Sequence, residues 1–185
     1  MKSVLVVYGS TEGQTRKIAE FIAQALNAGG VRAELVDSAD GRAALVQPTY
    51  AAAIACGSLH QHRFQDSLLR FVKDNAPWLA GIPSAFVAVS LTAALKDDQS
   101  RDELRDIAEA FCRETGWTPA ITRHVAGALQ YTQYDYFKRL AMKLIARQQG
   151  GDTDTSRDHE YTDWDDLKSF VGEFLAATSL REGGR

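Results

Sequence analysis

Two kinds of apolar segment alternate along the 185-residue chain. Short continuous runs such as Val4 to Val7 are typical of strands that are buried on both faces of a sheet. Longer segments between them repeat their apolar residues every three or four positions, which is the spacing of an amphipathic helix. The pattern predicts strands at 3–8, 31–37, 50–58, 84–91 and 120–129, and helices at 15–27, 65–76, 100–115 and 164–175.

The alternation of strands and helices indicates an α/β fold. It predicts a doubly wound, mostly parallel five-stranded sheet. A chain of 185 residues with 45% hydrophobic content suits a single domain. We expect this domain to span 1–180, followed by a disordered tail at 181–185. Residues 130–161 do not fit the alternation, and they are interpreted as a segment inserted between the fifth strand and the last helix.

Local residues mark several predicted helix ends. The second helix is expected to stop near Pro77, because proline cannot continue a helix from within. Ser100 and Glu103 have the spacing of a capping box, which predicts that the next helix begins there. Thr162 or Asp163 is expected to cap the last helix.

Charge and composition narrow the possible functions. The net charge of −3 and the pI near 5.8 argue against nucleic acid as the main partner. No apolar run approaches the roughly 20 residues that cross a bilayer, and the N-terminal run is too short for a signal peptide. A cytoplasmic protein is therefore predicted. Cys56 and Cys112 are expected to be buried free thiols, and no Cys-x-x-Cys pair suggests a metal site.

The turn after the first strand carries the strongest candidate chemistry. Its sequence from Ser10 to Thr15 is STEGQT. A triphosphate-binding loop requires a lysine after its second glycine, but Gln14 follows Gly13 here. The dinucleotide fingerprint also fails, because Ser10 follows Gly9 where a Gly-x-Gly spacing is needed.

Once these two motifs are excluded, the loop can bind a ligand through its backbone amides, the helix dipole and its hydroxyl groups. Together these groups are suited to binding one phosphate monoester. The residues expected to hold it are Ser10, Thr11, Glu12, Gly13, Gln14 and Thr15. An ordinary helix cap, in which Thr11 and Gln14 form a capping box, is the alternative.

This stretch resembles the FMN-phosphate loop of the flavodoxin family, whose pattern after strand one is Thr/Ser-x-Thr/Glu-Gly-x-Thr. The resemblance implies the strand order 2-1-3-4-5 and FMN as the cofactor, bound at the switch point between strands one and three. The flavin ring would then lie over the loops after strands three and four. Backbone N–H groups there could bond the ring and tune its potential. The residues concerned are Ser58, Leu59, His60, Gln61, His62, Ser90, Leu91 and Thr92.

The loop after strand three allows other interpretations. His60, His62, Arg63 and Phe64 would place flat and polar groups where a ring could stack. Metal binding by His60 and His62 is a weaker alternative, because no Cys or further His lies at a supporting spacing. A third interpretation is that this loop is solvated and has no special role.

The inserted segment contains a short basic amphipathic helix at 137–147. Such a helix favours contact with a membrane interface or an anionic ligand, but it could equally dock on the sheet. The stretch 152–163 has the alternating acidic residues of a calcium loop. It lacks the required glycine at Arg157 and ends in Asp163 instead of Glu, so a polar connector is the better interpretation.

Three patches extend the resemblance over nearly the whole chain: GALQY at 127–131, GGDTDT at 150–155 and YTDWDDLKSFVGEF at 161–174. They are similar to the flavodoxin-type, menaquinone-dependent protoporphyrinogen dehydrogenases of bacteria. The resemblance implies oxidation of protoporphyrinogen IX to protoporphyrin IX in heme biosynthesis, with a quinone as acceptor and a peripheral position on the inner face of the cell membrane.

Hydride transfer to the flavin N5 is the mechanism that this resemblance implies, so no side chain is nominated as catalytic and no metal is expected. Arg63, Tyr131, Lys138 and Arg139 are candidates for contact with substrate propionates or the membrane. A soluble flavodoxin-type electron carrier, an FMN-dependent NAD(P)H:quinone reductase and a scaffold without FMN are the alternatives. The sequence leaves the oligomeric state open.

Overall fold

The computed structural model describes residues 3–40, 50–129, 142, 159–178 and 180. Within them, five strands form one parallel sheet in the order β2-β1-β3-β4-β5. They are β1 (Ser3–Gly9), β2 (Arg32–Asp37), β3 (Ala52–Ser58), β4 (Ser84–Ser90) and β5 (Ile121–Ala126). The helices are α1 (Gln14–Ala28), α2 (Asp66–Asp74), α3 (Ala76–Ala80), α4 (Asp98–Thr115) and α5 (Trp164–Ala177), with a 3-10 helix at Thr92–Leu95. The predicted fold class and strand order are confirmed.

Each face of the sheet has its own hydrophobic core. Val4 and Val6 pack with residues of α1 and α5, whereas Leu5 and Val7 pack with residues of α2 and α4. Successive side chains of a strand point to opposite faces, so both sets are buried. Burial on both faces explains why this strand is a continuous apolar run.

Aromatic rings fill the core on the α2 and α4 face. The ring of Phe64 lies 5.0 Å from that of Phe86 and 5.0 Å from that of Phe111, measured between centroids. Trp117 is fully buried, and its indole N–H donates to Ser84 Oγ at 3.0 Å. The expectation that Phe64 offers a surface for a flavin ring is wrong, because its side chain belongs to this core.

The edge strand β5 is attached to α5 through one arginine. The Arg123 guanidinium lies 2.6 Å from Glu173 Oε2 and 3.3 Å from Asp166 Oδ1. It also lies 5.8 Å from the centre of the Phe170 ring. Since both carboxylates are largely exposed, each ion pair contributes only ~0–1 kcal/mol. The shared contacts nevertheless fix the orientation of α5 against β5.

Two predicted helices have different bounds in the structure. The segment 65–76 forms two helices, α2 and α3, which meet at Asn75. Pro77 lies in the first turn of α3, where a missing N–H removes no helical hydrogen bond. Its predicted role as a helix stop is therefore wrong.

The predicted capping box at Ser100 and Glu103 is also wrong. Helix α4 begins two residues earlier, and Asp97 is its N-cap. Asp97 Oδ1 accepts a hydrogen bond from the Ser100 backbone N–H at 3.0 Å. For α5, Asp163 is the cap, since its Oδ1 accepts from the Asp166 N–H at 2.9 Å.

The predicted fifth strand is interrupted at Gly127. Beyond it, β6 (Ala128–Leu129) pairs antiparallel with β7 (His159–Glu160) and not with the main sheet. This pair brings together the two ends of the segment 130–158. Of that segment the structure describes only Met142, which is helical and 64% exposed. The predictions for Tyr131, Lys138 and Arg139 fall outside the described residues, as do those for 152–158, for the tail 181–185 and for all of the helix 137–147 except Met142.

The two thiols differ in exposure. Cys56 in β3 is fully buried, as predicted, whereas Cys112 in α4 is only half-buried, so the prediction is wrong for that residue. Burial raises the pKa of both thiols. No helix in the described part of the chain is both long and apolar enough to span a membrane.

Candidate functional site

A cleft lies at the sheet edge where the strands have their carboxyl ends. In parallel α/β sheets this edge is where ligands bind. The lining residues come from the four loops after β1, β3, β4 and β5: Ser10, Glu12, Gln14, Thr15, Ser58, Leu59, His60, Val89, Ser90, Leu91, Gly127 and Ala128. The enclosed volume is only about 30 Å³, so the rest of any large ligand must lie across the surfaces of these loops.

The start of α1 forms the floor of this cleft. Gly13 is the N-cap residue and has a left-handed backbone, with φ 89°, which L side chains rarely adopt. The first helical hydrogen bond runs from the Lys17 N–H to the Gly13 carbonyl at 3.1 Å. The amides of Gln14, Thr15 and Arg16 precede it, so they have no acceptor within the helix. They can bind an anion together with the helix dipole.

Hydroxyl groups extend the set of donors. Ser10 Oγ accepts a hydrogen bond from the Gly13 N–H at 3.0 Å. A serine hydroxyl that accepts one hydrogen bond still has its own proton to donate. Thr15 is buried at the same helix start, with 2% exposure. This part of the cleft therefore offers backbone and hydroxyl donors together.

The alternative of a capping box at Thr11 and Gln14 is not formed. The Gln14 side-chain amide donates to Thr162 Oγ1 at 2.9 Å, and that hydroxyl donates to the Ala126 carbonyl at 2.8 Å. Gln14 thereby connects the start of α1 to the end of β5 and to the residue before the α5 cap. Thr11 Oγ1 instead accepts from the side chain of Gln65, at 3.0 Å.

Gln65 connects the first loop to the loop after β3. Besides the bond to Thr11, its Oε1 accepts from the Ser58 N–H at 3.1 Å. A Cβ at Gly9 would lie 3.0 Å from this Oε1, so the close approach depends on glycine. The role of Gln65 was not predicted from the sequence. Glutamine has no N-capping preference, and the residues to which Gln65 is hydrogen-bonded are remote in the chain.

The loop after β3 makes a tight turn. The His60 N–H donates to the Arg63 carbonyl and the Arg63 N–H to the His60 carbonyl, both at 2.9 Å. Between them Gln61 and His62 have φ values of 47° and 64°, which L residues seldom adopt. His60 lines the cleft, whereas Gln61, His62 and Arg63 are exposed and do not line it. His62 Nδ1 lies 3.3 Å from Glu103 Oε1 in α4.

The loop after β4 forms the opposite wall. Ser90 and Leu91 line the cleft, and Ser90 Oγ accepts from the Ala93 N–H at 3.1 Å. Thr92 is buried at the start of the 3-10 helix and does not line the cleft. The two walls are joined by a hydrogen bond from the Leu59 N–H to the Val89 carbonyl, at 2.8 Å. In the described part of the chain, no three His, Cys, Asp or Glu residues are grouped as a metal site requires.

A much larger concavity lies on the other side of the 3-10 helix. It is a groove of about 990 Å³ between the 3-10 helix, α4 and β5. His124 of β5 lines it, and no described group forms a hydrogen bond with the buried His124 Nδ1. Burial lowers the pKa of this imidazole from its ordinary value of 6.5. Of the residues that line this groove, only Thr92 is predicted from the sequence to bind a ligand.

Comparison with known families identifies the domain. A model of the "Flavodoxin domain" matches residues 5–156. The chain belongs to the flavodoxin domain family. This membership confirms the resemblance seen in the first loop. FMN is therefore the cofactor assigned to this flavodoxin domain.

Two relatives of this flavodoxin domain match it over most of their length. One from Leishmania major is 32% identical over 173 residues, covering 93% of this chain and 74% of the relative. One from Escherichia coli strain K12 is 30% identical over 177 residues, covering 94% of this chain and 95% of the relative. Both are named "Protoporphyrinogen IX dehydrogenase [quinone]".

Solved flavodoxins share the fold. Oxidised Flavodoxin 1 from Bacillus cereus has a TM-score of 0.58 at 17% identity, covering 95% of this chain and 98% of that one. A Cys-to-Ser mutant of the Pseudomonas aeruginosa flavodoxin also has a TM-score of 0.58, at 16% identity, covering 96% and 99%. Identities this low show that the architecture is shared and nothing about substrates.

The connection made by Gln65 is testable through FMN affinity. Replacing Gln65 by Ala removes two hydrogen bonds and leaves the Ser58 N–H without its acceptor. Since each such bond contributes about 0.5–1.5 kcal/mol, full loss of both from FMN binding would raise the Kd for FMN about 5- to 160-fold in a fluorescence titration. Gln99→Ala, an exposed glutamine of α4, is the matched control and should leave the Kd unchanged. Equal values for the two variants would contradict the proposed coupling of the loops.

The partly buried imidazole of His124 predicts a pH effect on stability. Its folded pKa is lowered, so below about pH 6.5 the unfolded chain binds a proton that the folded chain does not. The free energy of unfolding should therefore fall as the pH drops from 7.5 to 5.5. Urea unfolding of His124→Gln should show a smaller fall over this interval than the wild type. Identical pH dependence of the two proteins would show that His124 is not buried as described.

Proposed function

We propose that this flavodoxin domain binds FMN in the carboxyl-edge cleft and oxidises protoporphyrinogen IX to protoporphyrin IX, passing the electrons to a quinone. The observation that carries the cofactor site is the start of α1, where three amides without helical acceptors meet the Ser10 hydroxyl. The reaction is supported by the two relatives, which align with over nine-tenths of this chain and carry that name.

The FMN phosphate is proposed to bind at Ser10–Thr15. The backbone N–H groups at the start of α1 and the hydroxyls of Ser10 and Thr15 are suitable donors. Thr11 supports the loop through Gln65, and Gly13 supplies the left-handed turn. Glu12 lines the cleft, but its carboxylate would repel a phosphate, so it would contribute through its backbone only.

The flavin ring is proposed to lie over the loops after β3 and β4. Ser58, Leu59 and His60 border it on one side, and Ser90 and Leu91 on the other. Bound FMN supplies the hydride acceptor for the porphyrinogen and the electron donor for the quinone. The protein positions the ring and excludes water, and no described side chain is assigned a proton transfer.

The remaining partners follow from the same proposal. Menaquinone is the proposed acceptor and heme biosynthesis the proposed pathway. A cytoplasmic protein that associates peripherally with the membrane would meet such an acceptor. Of the helix at 137–147, which the sequence predicts for that contact, the structure describes only Met142. Arg63 is exposed on the turn after β3, where it remains a candidate for propionate contact.

A flavodoxin-type electron carrier is the second candidate, because flavodoxins share the architecture over nearly the whole chain. Such a carrier would exchange electrons with proteins and would not oxidise a porphyrinogen. An FMN-dependent NAD(P)H:quinone reductase would instead show rapid reduction of its flavin by NADPH.

The proposal predicts direct reduction of the flavin by the porphyrinogen. Oxidation of protoporphyrinogen IX to protoporphyrin IX removes six electrons and each FMN accepts two. Under anaerobic conditions, one equivalent of protoporphyrinogen IX should therefore bleach the flavin absorbance of about three equivalents of FMN-loaded protein and yield fluorescent protoporphyrin IX. A water-soluble quinone added afterwards should restore the absorbance. NADPH, and separately a ferredoxin reductase system, serve as comparison reductants. A flavin that stays oxidised with the porphyrinogen but is bleached by either of the others would rule out the proposed reaction.

A further inference from the structure

The groove between α4 and β5 adjoins the candidate FMN site. It shares the loop after β4, since Thr92 and Ala93 line the groove while Ser90 and Leu91 line the cleft. Its volume of about 990 Å³ lies at the upper end of the range for small-molecule sites. The enclosed part of the cleft is about thirty times smaller, so the groove is the place in the described structure where a second large ligand fits.

The floor of the groove is apolar. Leu104 and Ala108 of α4 present buried side chains to it, and Cys112 lies one turn further along the same helix face. On the opposite side, Thr122 and His124 face the groove because Val125 packs into the core on the other face of the sheet. An apolar floor of this kind suits a flat hydrophobic ligand.

The rim of the groove is basic in a chain of net charge −3. Four cationic side chains line it, namely Lys96, Arg101, Arg105 and Arg113, together with the carboxylate of Glu109. The three arginines form exposed ion pairs with Asp98, Asp102 and Glu109, respectively. This balance favours a ligand that carries negative charge beside its apolar body.

The ion pairs that the cations of the rim already form do not prevent these cations from binding a ligand carboxylate. Arg101 is 2.8 Å from Asp98 Oδ1, and its side chain is 67% exposed while that of Asp98 is 94% exposed. Pairs this exposed contribute little stability, so a ligand carboxylate can replace or share the partner. Among the described residues Lys96 has no ion pair.

His124 adds a polar group inside the groove. Its Nδ1 is buried and has no described hydrogen-bond partner. Because Nδ1 is buried, a ligand in the groove would contact other atoms of the imidazole ring.

We propose that the groove between the 3-10 helix, α4 and β5 binds a carboxylate-bearing tetrapyrrole, with its ring on the apolar floor and its propionates at Lys96 and Arg101. The inference rests on the proposed function, since it assigns a binding site to the porphyrinogen of that reaction. The ligand would lie against Thr92 and Ala93, which belong to the loop proposed to border the flavin ring. An uncharged quinone would match the floor but not the rim.

The test measures binding of protoporphyrin IX, the stable product, to the FMN-loaded full chain by fluorescence titration. The double variant Lys96→Ala/Arg101→Ala should raise the Kd about tenfold, because two charge-assisted contacts are lost. The matched control Arg32→Ala/Lys168→Ala removes two exposed cations from β2 and α5, outside the groove, and should bind as the wild type does. The dimethyl ester of protoporphyrin, which lacks the carboxylates, should bind equally to all three proteins.

Cys112 provides a second measurement at the groove itself. The chain has two cysteines, and Cys56 is fully buried, so a thiol reagent added to the native protein reports on Cys112. Saturating protoporphyrin IX should slow its alkylation at least about fivefold, which corresponds to at least 80% occupancy of the groove. Thr122→Trp, which places a large ring in the groove from an exposed strand position, should weaken porphyrin binding.

The inference is overturned if the groove variants bind protoporphyrin IX like the wild type and Cys112 is not protected. It is also overturned if duroquinone, a fully substituted quinone that does not add thiols, protects Cys112 and protoporphyrin IX does not, because the groove would then be a quinone site. Reduction of the flavin by protoporphyrinogen is measured separately on the same proteins. Normal flavin reduction in the wild type combined with unaltered porphyrin binding in the variants rejects the groove but not the proposed function. Altered porphyrin binding in the variants combined with a wild-type flavin that stays oxidised rejects the proposed function but not the groove.

Discussion

The unpaired amides at the start of α1 are the constraint around which this structure is organised. A helix cannot satisfy its own first N–H groups, and the parallel sheet places this helix start at the edge where the strands have their carboxyl ends. Gly13 turns the chain so that the amides face the cleft. An anion bound at this position would satisfy the amides without a cationic side chain, and the loop from Ser10 to Thr15 contains neither Lys nor Arg.

Two glutamines hold the surrounding loops in place. Gln65 connects the first loop to the loop after β3, and Gln14 connects the start of α1 through Thr162 to the end of β5. Side-chain amides suit this role because each can donate and accept at once. The positions of the phosphate and ring loops are thereby coupled, so a change at one loop should alter cofactor affinity at the other.

The parts of the fold that could be predicted from the sequence are those determined by residues close together in the chain. Val4 to Val7 indicated a strand because burial on both faces demands an apolar run, and STEGQT indicated the turn at which α1 begins because its residue types act locally. The phosphate-binding role of this turn stays a prediction. Ser100 was mistaken for a helix cap because Asp97, three residues earlier, competes for the same role. Gln65 and the burial of Phe64 were not predictable, since both depend on residues that only the folded chain brings together. The groove was not predicted for the same reason, since only the fold brings its residues together. The net charge of the chain is negative and gives no sign of the four cations that line the groove.

The most direct test of the phosphate site compares FMN with riboflavin, which lacks the phosphate, by amide NMR of the labelled protein. The amide resonances of Gln14, Thr15 and Arg16 should shift strongly on addition of FMN and much less on addition of riboflavin. Resonances of the loops after β3 and β4 should shift with both ligands. Equal shifts of the α1 amides with the two flavins, or no shift with either, would contradict the placement of the phosphate at the start of α1.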